Sequence, residues 1–255
     1  MEAGVASRKA IIRYLDEALD VKGTPDYGPQ GLQVEGKEEV RRVATAVSSS
    51  RQLFEQAADW GADLIMVHHG LFWDRTPRTV LSVMRRRLGV LLAHDINLAA
   101  YHLCLDRHPE FGNNILAARG LGLENLEPFG EHNGVLIGYQ GTLPDLSLAD
   151  LAARVQAFFG REPLVFPYGA DVIRTVGIIT GGAQGDLSQA IDAGLDAFIT
   201  GEVGEFVMHT AREGCIHYLA AGHYATETTG IRALGEHVAA RFSVEARFFD
   251  LPNPA

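Results

Sequence analysis

Short apolar runs alternate with amphipathic segments along the chain. The apolar run at 64–67 and the Val- and Ala-rich segment at 40–49 predict two strands, and the helical pattern of Arg51–Trp60 lies between them. Gly61 punctuates the end of that helix. Two strands joined through a helix favour a parallel connection, because parallel strands need a long crossover. The pattern therefore predicts an α/β fold of mostly parallel strands with flanking helices.

The same periodicity predicts the remaining elements. Helices are predicted at 7–19 with Ser7 as the N-cap, at 77–88 opened by Pro77, at 113–119, 148–159 and 187–193, and after residue 227 through 239. Strands are predicted at 90–93, 135–141, 164–166, 172–180 and 244–249. Residues 25–36 are dense in Gly and Pro and predict a loop, which fits either a functional loop or a surface connection. Residues 127–134 have the composition of a domain boundary.

Two adjacent histidines stand at the end of the predicted strand 64–67. His68 and His69 are followed by Gly70, so the strand stops at the histidine pair. The carboxyl ends of strands are where open α/β sheets hold ligands. Adjacent side chains on an extended chain point to opposite faces, so this pair requires either a turn between the two residues or two ions. The competing interpretation is one capping or core histidine beside an accidental neighbour; we favour the functional one.

Two further pairs combine a histidine with a carboxylate four residues later. His102 and Asp106 share a face if their segment is helical or turned, and His223 and Glu227 have the same spacing. Two such pairs in addition to a double histidine are hard to attribute to chance. We therefore expect the three groups to belong to one site.

A loose repetition supports convergence of these groups. Residues 57–70, 190–202 and 211–223 each read as a helix end, a Gly, an apolar strand and a polar strand end. The three polar ends are His68-His69, Glu202 and His223. We expect these ends to meet on one rim of a sheet, although the repetition is too short to establish a true sequence repeat.

Imidazole and carboxylate side chains together suit zinc, manganese, iron, cobalt or nickel. Five such ligands exceed the needs of one open site with three protein groups and suit two divalent ions that share a carboxylate. Two neighbouring ions can activate a bridging water, which is the chemistry of hydrolysis. The candidate metal ligands are His68, His69, Asp106, His223 and Glu227.

Other polar residues have less specific interpretations. His102 either binds a metal or acts as a base or an orienting group beside Asp106. Glu202 either contacts the same cavity or caps the helix that follows it. The glycine-rich turn at 180–185 lacks the pattern of a phosphate-binding loop and is interpreted as a tight structural turn. Of the remaining histidines, we expect helix-end or packing roles for His94 and His237, a strand position for His217 and a surface loop for His132.

The charge of the chain limits the classes of partner. A formal net charge of -10 argues against a general nucleic-acid binder, which needs clustered Lys and Arg. The basic cluster Arg85-Arg86-Arg87 is interpreted as the solvent-facing end of a helix, where cations suit the macrodipole.

The chain carries no sign of a membrane or secretory segment. No apolar run approaches the roughly 18 residues of a spanning helix, and the N-terminus lacks a signal-peptide core. Cys104 and Cys215 have no CxxC spacing and cannot build a disulfide framework. We therefore expect a cytoplasmic protein without membrane contact.

Several motifs, taken together and in order, resemble those of the NIF3-like family, also called the DUF34 or YbgI-like proteins. The motifs are YGPQGLQVEG at 27–36, HHGLFW at 68–73, YHLCLD at 101–106, TGE at 200–202 and GHYATE at 222–227. The resemblance spans nearly the whole chain. One departure is Arg107-His108-Pro109, which leaves the candidate ligands intact and puts the substrate pocket in doubt.

The resemblance implies a dinuclear metal centre held by His68, His69, Asp106, His223 and Glu227, with His102 near the ions. It also implies two α/β lobes: residues 1–128 completed by 217–255, and an inserted lobe at 129–216. Members of the family assemble as homohexameric rings whose metal sites face an inner cavity. Many carry the name GTP cyclohydrolase 1 type 2 homologue, which does not settle the reaction of any given member.

Three functions follow as hypotheses. The first is a metal-dependent hydrolase of a small molecule, with GTP or a related nucleotide as one substrate class and with His102 and Glu227 in catalytic roles. The second is a metal-binding or interaction protein whose ions serve storage, delivery or assembly. The third, a nucleic-acid processing factor, conflicts with the acidic balance of the chain.

Overall fold

The computed structural model describes residues 4–255 and divides the chain into two compact units. Unit 1 comprises the chain up to Leu105 together with Ile231–Leu251, and unit 2 comprises Asp106–Gly230 with Pro252–Ala255. The lobes implied by the resemblance, residues 1–128 with 217–255 and residues 129–216, have different bounds. The structure assigns residues 106–128 and 217–230 to unit 2 because the strands in these two segments pair within the sheet of that unit.

The elements of the fold are as follows. The helices are α1 Arg8–Ala18, α2 Arg51–Trp60, α3 Ser82–Ala93, α4 Leu103–Asp106, α5 Asn113–Gly120, α6 Leu148–Phe159, α7 Leu187–Asp192, α8 Val207–Glu213, α9 His223–Thr226 and α10 Thr228–Phe242. The strands are β1 Ala6–Ser7, β2 Gly31–Val34, β3 Glu39–Val40, β4 Arg42–Ser48, β5 Leu64–His69, β6 Asn97–Ala100, β7 Glu124–His132, β8 Val135–Leu146, β9 Leu164–Pro167, β10 Ile173–Ile178, β11 Ala197–Thr200, β12 His217–Ala220 and β13 Glu245–Phe248. Short 3-10 turns lie at Val21–Gly23 and Gln184–Asp186.

Each unit is built on one mixed sheet. In unit 1 the strand order is β13-β4-β5-β6-β2, and β13, β4, β5 and β6 run parallel while β2 is antiparallel to β6. In unit 2 the order is β7-β8-β10-β11-β12-β9, with a parallel centre of β10, β11 and β12 and antiparallel strands on both sides. The predicted α/β class is confirmed, and the antiparallel edge strands add to the mostly parallel sheets that were expected.

The strand, helix and strand at 42–69 form as predicted. Ser50 is the N-cap of α2, and its hydroxyl accepts a hydrogen bond from the Leu53 amide at 3.0 Å. Gly61 ends the helix in the left-handed conformation with φ of 80°. Ser7 caps α1 in the predicted way, since its side chain accepts from the Ala10 amide. Local signals therefore agree with the observed bounds at both ends of α2 and at the start of α1.

The predicted helix at 77–88 is correct only in its second part, and the predicted strand at 90–93 is wrong. Helix α3 begins only at Ser82 and continues through Gly89 to Ala93. Gly89 is exposed, and a Cβ there would meet nothing within 4 Å, whereas Leu91 is fully buried in the same helix. The chain turns at Asp95, which has a φ of 54°, and the strand that follows is β6.

Two predicted loops contain strands. The segment 25–36 includes β2, which pairs with the edge of the unit 1 sheet through β6. The expected boundary at 127–134 is part of a hairpin, because β7 pairs with β8 and His132 lies opposite Val135. Asn133 and Gly134, both with positive φ, form the tight turn between these strands. An Asn-Gly pair is a strong hairpin signal. The prediction of a boundary followed the overall composition of residues 127–134 and overlooked this pair.

Each unit has its own apolar core. The core of unit 1 is packed around Phe54, Ile65 and Leu98, and that of unit 2 around Leu151, Val176 and Ile199. Within residues 4–255, no helix is both long and apolar enough to span a bilayer.

Candidate metal centre

In unit 1, three parallel strands deliver polar side chains to one edge of the sheet. Ser48 at the end of β4 lies opposite His69 at the end of β5. His102 follows β6, the next parallel strand. Because the carboxyl ends of parallel strands meet at the same edge, residues far apart in sequence come together here.

The tautomer of His68 is fixed by a backbone carbonyl. His68 is fully buried, and its Nδ1 lies 2.9 Å from the carbonyl oxygen of Tyr101. A carbonyl oxygen only accepts hydrogen bonds, so Nδ1 carries the proton. In the neutral ring the lone pair is therefore on Nε2, and this is the state in which imidazole binds metals.

His69 and His102 complete a triad with His68. The ring centroids lie 4.8 Å apart for His68 and His69, 4.9 Å for His68 and His102, and 5.6 Å for His69 and His102. One nitrogen from each ring lies within 4.8 Å of the others, so these three residues could hold a metal ion. The Nδ1 atom of His69 is oriented by a 2.9 Å hydrogen bond with the Ser48 hydroxyl. The side chains thus present nitrogen donors in a partly buried cluster.

Asp26 contacts this cluster and was not among the residues predicted from the sequence. Its Oδ1 accepts a hydrogen bond from His102 Nδ1 at 2.8 Å, and its Oδ2 accepts from the Leu103 amide at 2.9 Å. Burial raises the pKa of Asp26, but the hydrogen bonds from His102, Tyr27 and Leu103 outweigh burial and hold this pKa below its usual value. The ionised carboxylate therefore keeps the proton of His102 on Nδ1.

Unit 2 builds its polar edge from glycine turns. The parallel strands β10, β11 and β12 lead into Gly181, Gly201 and Gly222 respectively. The Gly201 amide donates to the Gly181 carbonyl at 2.9 Å, and the Gly222 amide donates to the Gly201 carbonyl at 2.9 Å. A Cβ at Gly201 would lie 2.6 Å from the Cα atom of His223, so only glycine permits this approach. Glu202 and His223 follow the second and third turns directly.

His223 lies between two carboxylates. Its Nδ1 is 2.6 Å from Glu202 Oε1, and its Nε2 is 3.2 Å from Glu227 Oε1. Burial lowers the pKa of His223, but the hydrogen bonds and charges of Glu227 and Glu202 outweigh burial and raise this pKa to about 9. The cluster thus has one cationic ring for two carboxylates, and a bound metal ion would take the place of the ring proton.

Gly181 is required by the position of Glu227. It has a φ of +72°, and a Cβ at this residue would collide with the Glu227 carboxylate and approach His223 Nε2. Its amide donates to the Thr226 hydroxyl at 3.0 Å. The turn at 180–185 is therefore a tight structural turn, as predicted, and it also seats a candidate ligand.

Asp106 is held by buried amide side chains of unit 2. It is 5% exposed, and its Oδ1 accepts from Asn113 Nδ2 at 2.8 Å. Asn114 donates to the Asp106 carbonyl at 3.3 Å and accepts from the Thr180 amide at 2.7 Å. Asp106 is thereby tied to the residue that precedes Gly181. Within its own unit, His102 has Asp26 as a hydrogen-bond partner, and Asp106 has Asn113.

The structure also decides the roles of most other polar residues. The predicted packing role of His237 is confirmed, since its Nε2 lies 2.6 Å from the Tyr14 hydroxyl and its ring stacks on Tyr14. His94 is the C-cap of α3, and His217 lies in β12, as expected. The surface-loop assignment of His132 is wrong, because it ends β7 and contacts both Asp186 carboxylate oxygens at 3.1 Å.

The donors present fit divalent transition metals. Unit 1 offers imidazole nitrogens whose tautomers are set by oxygen partners, and unit 2 offers an imidazole with two carboxylates. Imidazole and carboxylate donors are the ligands of zinc, manganese, iron, cobalt and nickel sites. Protein groups that orient the ring through its second nitrogen, such as Asp26 and the Tyr101 carbonyl, accompany most histidine ligands.

Comparison with known proteins identifies the family. The sequence model of Duf34/NIF3 (NGG1p interacting factor 3) matches residues 6–254. The chain belongs to the DUF34/NIF3 family. A protein of this family from Pseudomonas aeruginosa, named GTP cyclohydrolase 1 type 2 homolog, is 46% identical over 248 residues, which cover 96% of this chain and 97% of the relative.

Solved structures support the assignment. A protein described as ybgI, of unknown function, has a TM-score of 0.91 and 41% identity, with 98% of this chain and 100% of that chain covered. The crystal structure of TTHA1606 from Thermus thermophilus also has a TM-score of 0.91, with 38% identity and the same coverage of both chains. This DUF34/NIF3 chain therefore shares its whole fold with solved members.

Proposed function

We propose that this protein is a metal-dependent hydrolase that uses two divalent cations. The proposed ligands are those that the family resemblance implies, namely His68, His69, Asp106, His223 and Glu227. The observation that carries the proposal is the buried His68, whose Nδ1 proton is committed to a backbone carbonyl and whose Nε2 is therefore in the metal-binding state. The hydrogen bonds that orient His69 and His102 support the same conclusion.

The chain's own residues supply the proton handling. When bound, the two cations supply Lewis-acid activation of water and neutralise charge on the displaced oxygen. His102 accepts the proton of the attacking water at Nε2, because Asp26 retains the proton at Nδ1. The water oxygen forms the new bond to the substrate, the bond to the leaving group breaks, and the proton on His102 passes to the leaving group. Glu227 orients the attacking water through its carboxylate.

The substrate class is proposed from the names of the relatives. Curated relatives in Pseudomonas aeruginosa and Escherichia coli carry the name GTP cyclohydrolase 1 type 2 homolog. GTP or a related nucleotide is therefore the first substrate to assay, followed by phosphodiesters and peptides. The homohexameric ring implied by the resemblance is a further part of the proposal, and light scattering with size-exclusion chromatography measures it directly.

The test begins with elemental analysis of protein purified without added metal, followed by assays against the substrate panel. We expect two ions per chain and turnover of at least one nucleotide. His68→Ala and Glu227→Ala should each lower the metal content and abolish turnover while leaving the oligomer unchanged. His209→Ala and Glu213→Ala are matched controls, because both residues are exposed on α8.

Two results would contradict parts of the proposal. A wild-type protein that holds two ions but is inert across the panel would point to storage, delivery or assembly rather than hydrolysis. A protein whose metal content is the same in His68→Ala as in His209→Ala would contradict the ligand assignment itself.

A further inference from the structure

An arginine-rich segment follows the histidine motif in unit 1. Residues 75–87 contain five arginines and no acidic residue, in a chain whose net charge is -10. The sequence-based interpretation placed Arg85-Arg86-Arg87 at the C-terminal end of a helix. Helix α3 begins at Ser82, so these residues lie in its first half, where the macrodipole does not favour cations. Helix electrostatics therefore do not explain the cluster.

Intramolecular ion pairs do not explain it either. Across residues 4–255, no carboxylate forms an ion pair with any arginine of the segment 75–87. Arg75, Arg78, Arg85 and Arg86 are exposed. A local positive potential on an otherwise acidic molecule concentrates anionic ligands at that place.

A cavity opens between this segment and the end of the histidine motif. It has a volume of about 400 Å³ and is lined by Phe72, Trp73, Asp74, Arg78 and Met84, among others. Trp73 connects the cavity to the histidine triad, since its ring centroid lies 5.0 Å from that of His102 and 6.1 Å from that of His69. The cavity thus combines an aromatic ring, apolar side chains, one guanidinium and the carboxylate of Asp74 beside the candidate ligands.

We propose that this cavity is the binding site for a nucleoside polyphosphate. The Trp73 ring offers a stacking surface for the base, and the Arg78 guanidinium pairs with phosphate oxygens in a charge-assisted, two-pronged contact. Arg75 and Arg85 supply the surrounding positive potential. The inference rests on the proposed function for its position beside the reacting centre, but ligand binding itself needs no metal and no turnover.

The size of the cavity and the charge of the chain favour a mononucleotide over a nucleic acid. A volume of about 400 Å³ falls within the range of small-molecule sites. A long polyanion would be repelled by the rest of a molecule with a net charge of -10, since binding to nucleic acid requires many neutralised phosphates.

The test measures binding to metal-free protein through the fluorescence of Trp73. The chain has two tryptophans, so Trp60→Phe leaves Trp73 as the sole reporter. The protein is stripped with a chelator and titrated with GTP, ATP, GMP and guanosine, and inorganic tripolyphosphate is used as a competitor. We expect quenching by all four base-bearing ligands, affinity in the order GTP above GMP above guanosine, and displacement of GTP by tripolyphosphate.

The decisive variants remove one positive charge each. Arg78→Gln should weaken GTP binding about tenfold and leave guanosine within about twofold, because a charge-assisted hydrogen bond is lost only for the phosphates. Arg13→Gln is the matched control, since Arg13 is an exposed arginine that lines a different cavity of unit 1. Thermal melting of each variant confirms that the fold is retained.

The outcomes separate this inference from the proposed function. Equal weakening by Arg78→Gln and Arg13→Gln, or equal affinity for GTP and guanosine, would overturn it even if the metal-loaded enzyme is active. Tighter binding of a single-stranded oligonucleotide than of GTP at the same salt concentration would overturn the mononucleotide assignment. If the protein binds the nucleotides as expected but shows no turnover, the nucleotide site is supported and only the proposed hydrolase activity is contradicted.

Discussion

In unit 1, imidazoles stand at the end of the parallel strand β5 and after β6, whereas the parallel strands of unit 2 lead into glycine turns that place one imidazole between two carboxylates. In unit 1, the proton positions follow from fixed acceptors, which are the Tyr101 carbonyl for His68 and Asp26 for His102. In unit 2, the carboxylates of Glu227 and Glu202 raise the pKa of His223 to about 9. The ring proton of His223 therefore supplies the positive charge that a bound metal ion would otherwise supply. Unit 1 thus offers imidazole nitrogens whose lone pairs are available to a metal, whereas unit 2 offers carboxylates whose negative charge attracts a cation.

The two edges also depend on the backbone to different degrees. The histidines of unit 1 lie at the end of an ordinary strand, β5, and two residues after β6. Unit 2 has glycines at three strand ends where a Cβ would be too close to a neighbour, namely the Glu227 carboxylate for Gly181, the backbone of His223 for Gly201 and the Arg161 side chain for Gly222. Replacing a glycine should therefore destabilise unit 2 most. In unit 1, removing the charge of an orienting carboxylate should show how the histidine tautomers are fixed.

The largest effect is expected from Gly181→Ala in unit 2. The new Cβ would meet the Glu227 carboxylate at a residue with a φ of +72°, so strain and collision add. We expect a loss of about 3 kcal/mol in the free energy of unfolding, measured by urea denaturation. Weaker metal binding should accompany this loss, because Glu227 has to move.

Gly160→Ala provides the matched control for that substitution. Gly160 ends α6 with a φ of +70°, and a Cβ there would meet nothing within 4 Å. Left-handed strain alone should cost about 1 kcal/mol. Equal losses of unfolding free energy in the two variants would show that the contact between Gly181 and Glu227 imposes no steric constraint.

An intermediate effect is expected from Asp26→Asn in unit 1. The amide keeps the size of the side chain but removes the charge that holds the His102 proton on Nδ1. Because His102 is the proposed base and not one of the five proposed ligands, turnover should fall about 10- to 100-fold while metal affinity stays unchanged. Competition with a chelating dye measures the affinity, and nitrogen NMR of the imidazole reports the tautomer of His102.

The pH dependence of the same variant gives a second measurement. The folded pKa of Asp26 lies below its usual value, so its contribution to stability is present above about pH 4 and is lost as the pH falls through the folded pKa. Asp26→Asn should therefore lose less stability on acidification than the wild type. Asp59→Asn, an exposed change on α2, should follow the wild type, and a wild-type curve for Asp26→Asn would contradict the role of the carboxylate.

Strong local signals explain which parts of this fold were predictable. The segment from β4 to β5 has a serine cap, a closing glycine and continuous apolar strands, and all three agree. Helix α3 lacks a side-chain cap and passes through Gly89, so its bounds depend on the burial of Leu91 rather than on local pattern. The expected meeting of all polar strand ends on one rim was wrong in one respect, since β5 belongs to one sheet and β11 and β12 to another.

The candidate site was predictable only where its residues form motifs. His68 and His69 are adjacent, and His223 and Glu227 are four apart, so both pairs are visible in the sequence. Asp26 and His102 are separated by 76 positions, and no periodicity connects them. Asp26 lies in the Gly- and Pro-dense segment 25–36, which was the one available signal. Orienting partners of this kind are set by tertiary contact and not by local sequence.

The smallest effect is expected from His132→Gln in unit 2, which tests a histidine and carboxylate pair outside the proposed ligand set. The hydrogen bond with Asp186 is the largest cause that raises the pKa of His132, and it outweighs burial. A raised folded pKa means that the stabilisation is fully present below about pH 6.5 and is lost as the pH rises through the folded value. We therefore expect the variant to be about 1 kcal/mol less stable than the wild type at pH 6, with the difference shrinking toward pH 9 in urea denaturation. A difference that stays constant across this range would show that His132 contributes by packing and not by its charge. A single carboxylate partner, as at His132, would then not be enough to stabilise a charged imidazole, whereas His223 has two such partners.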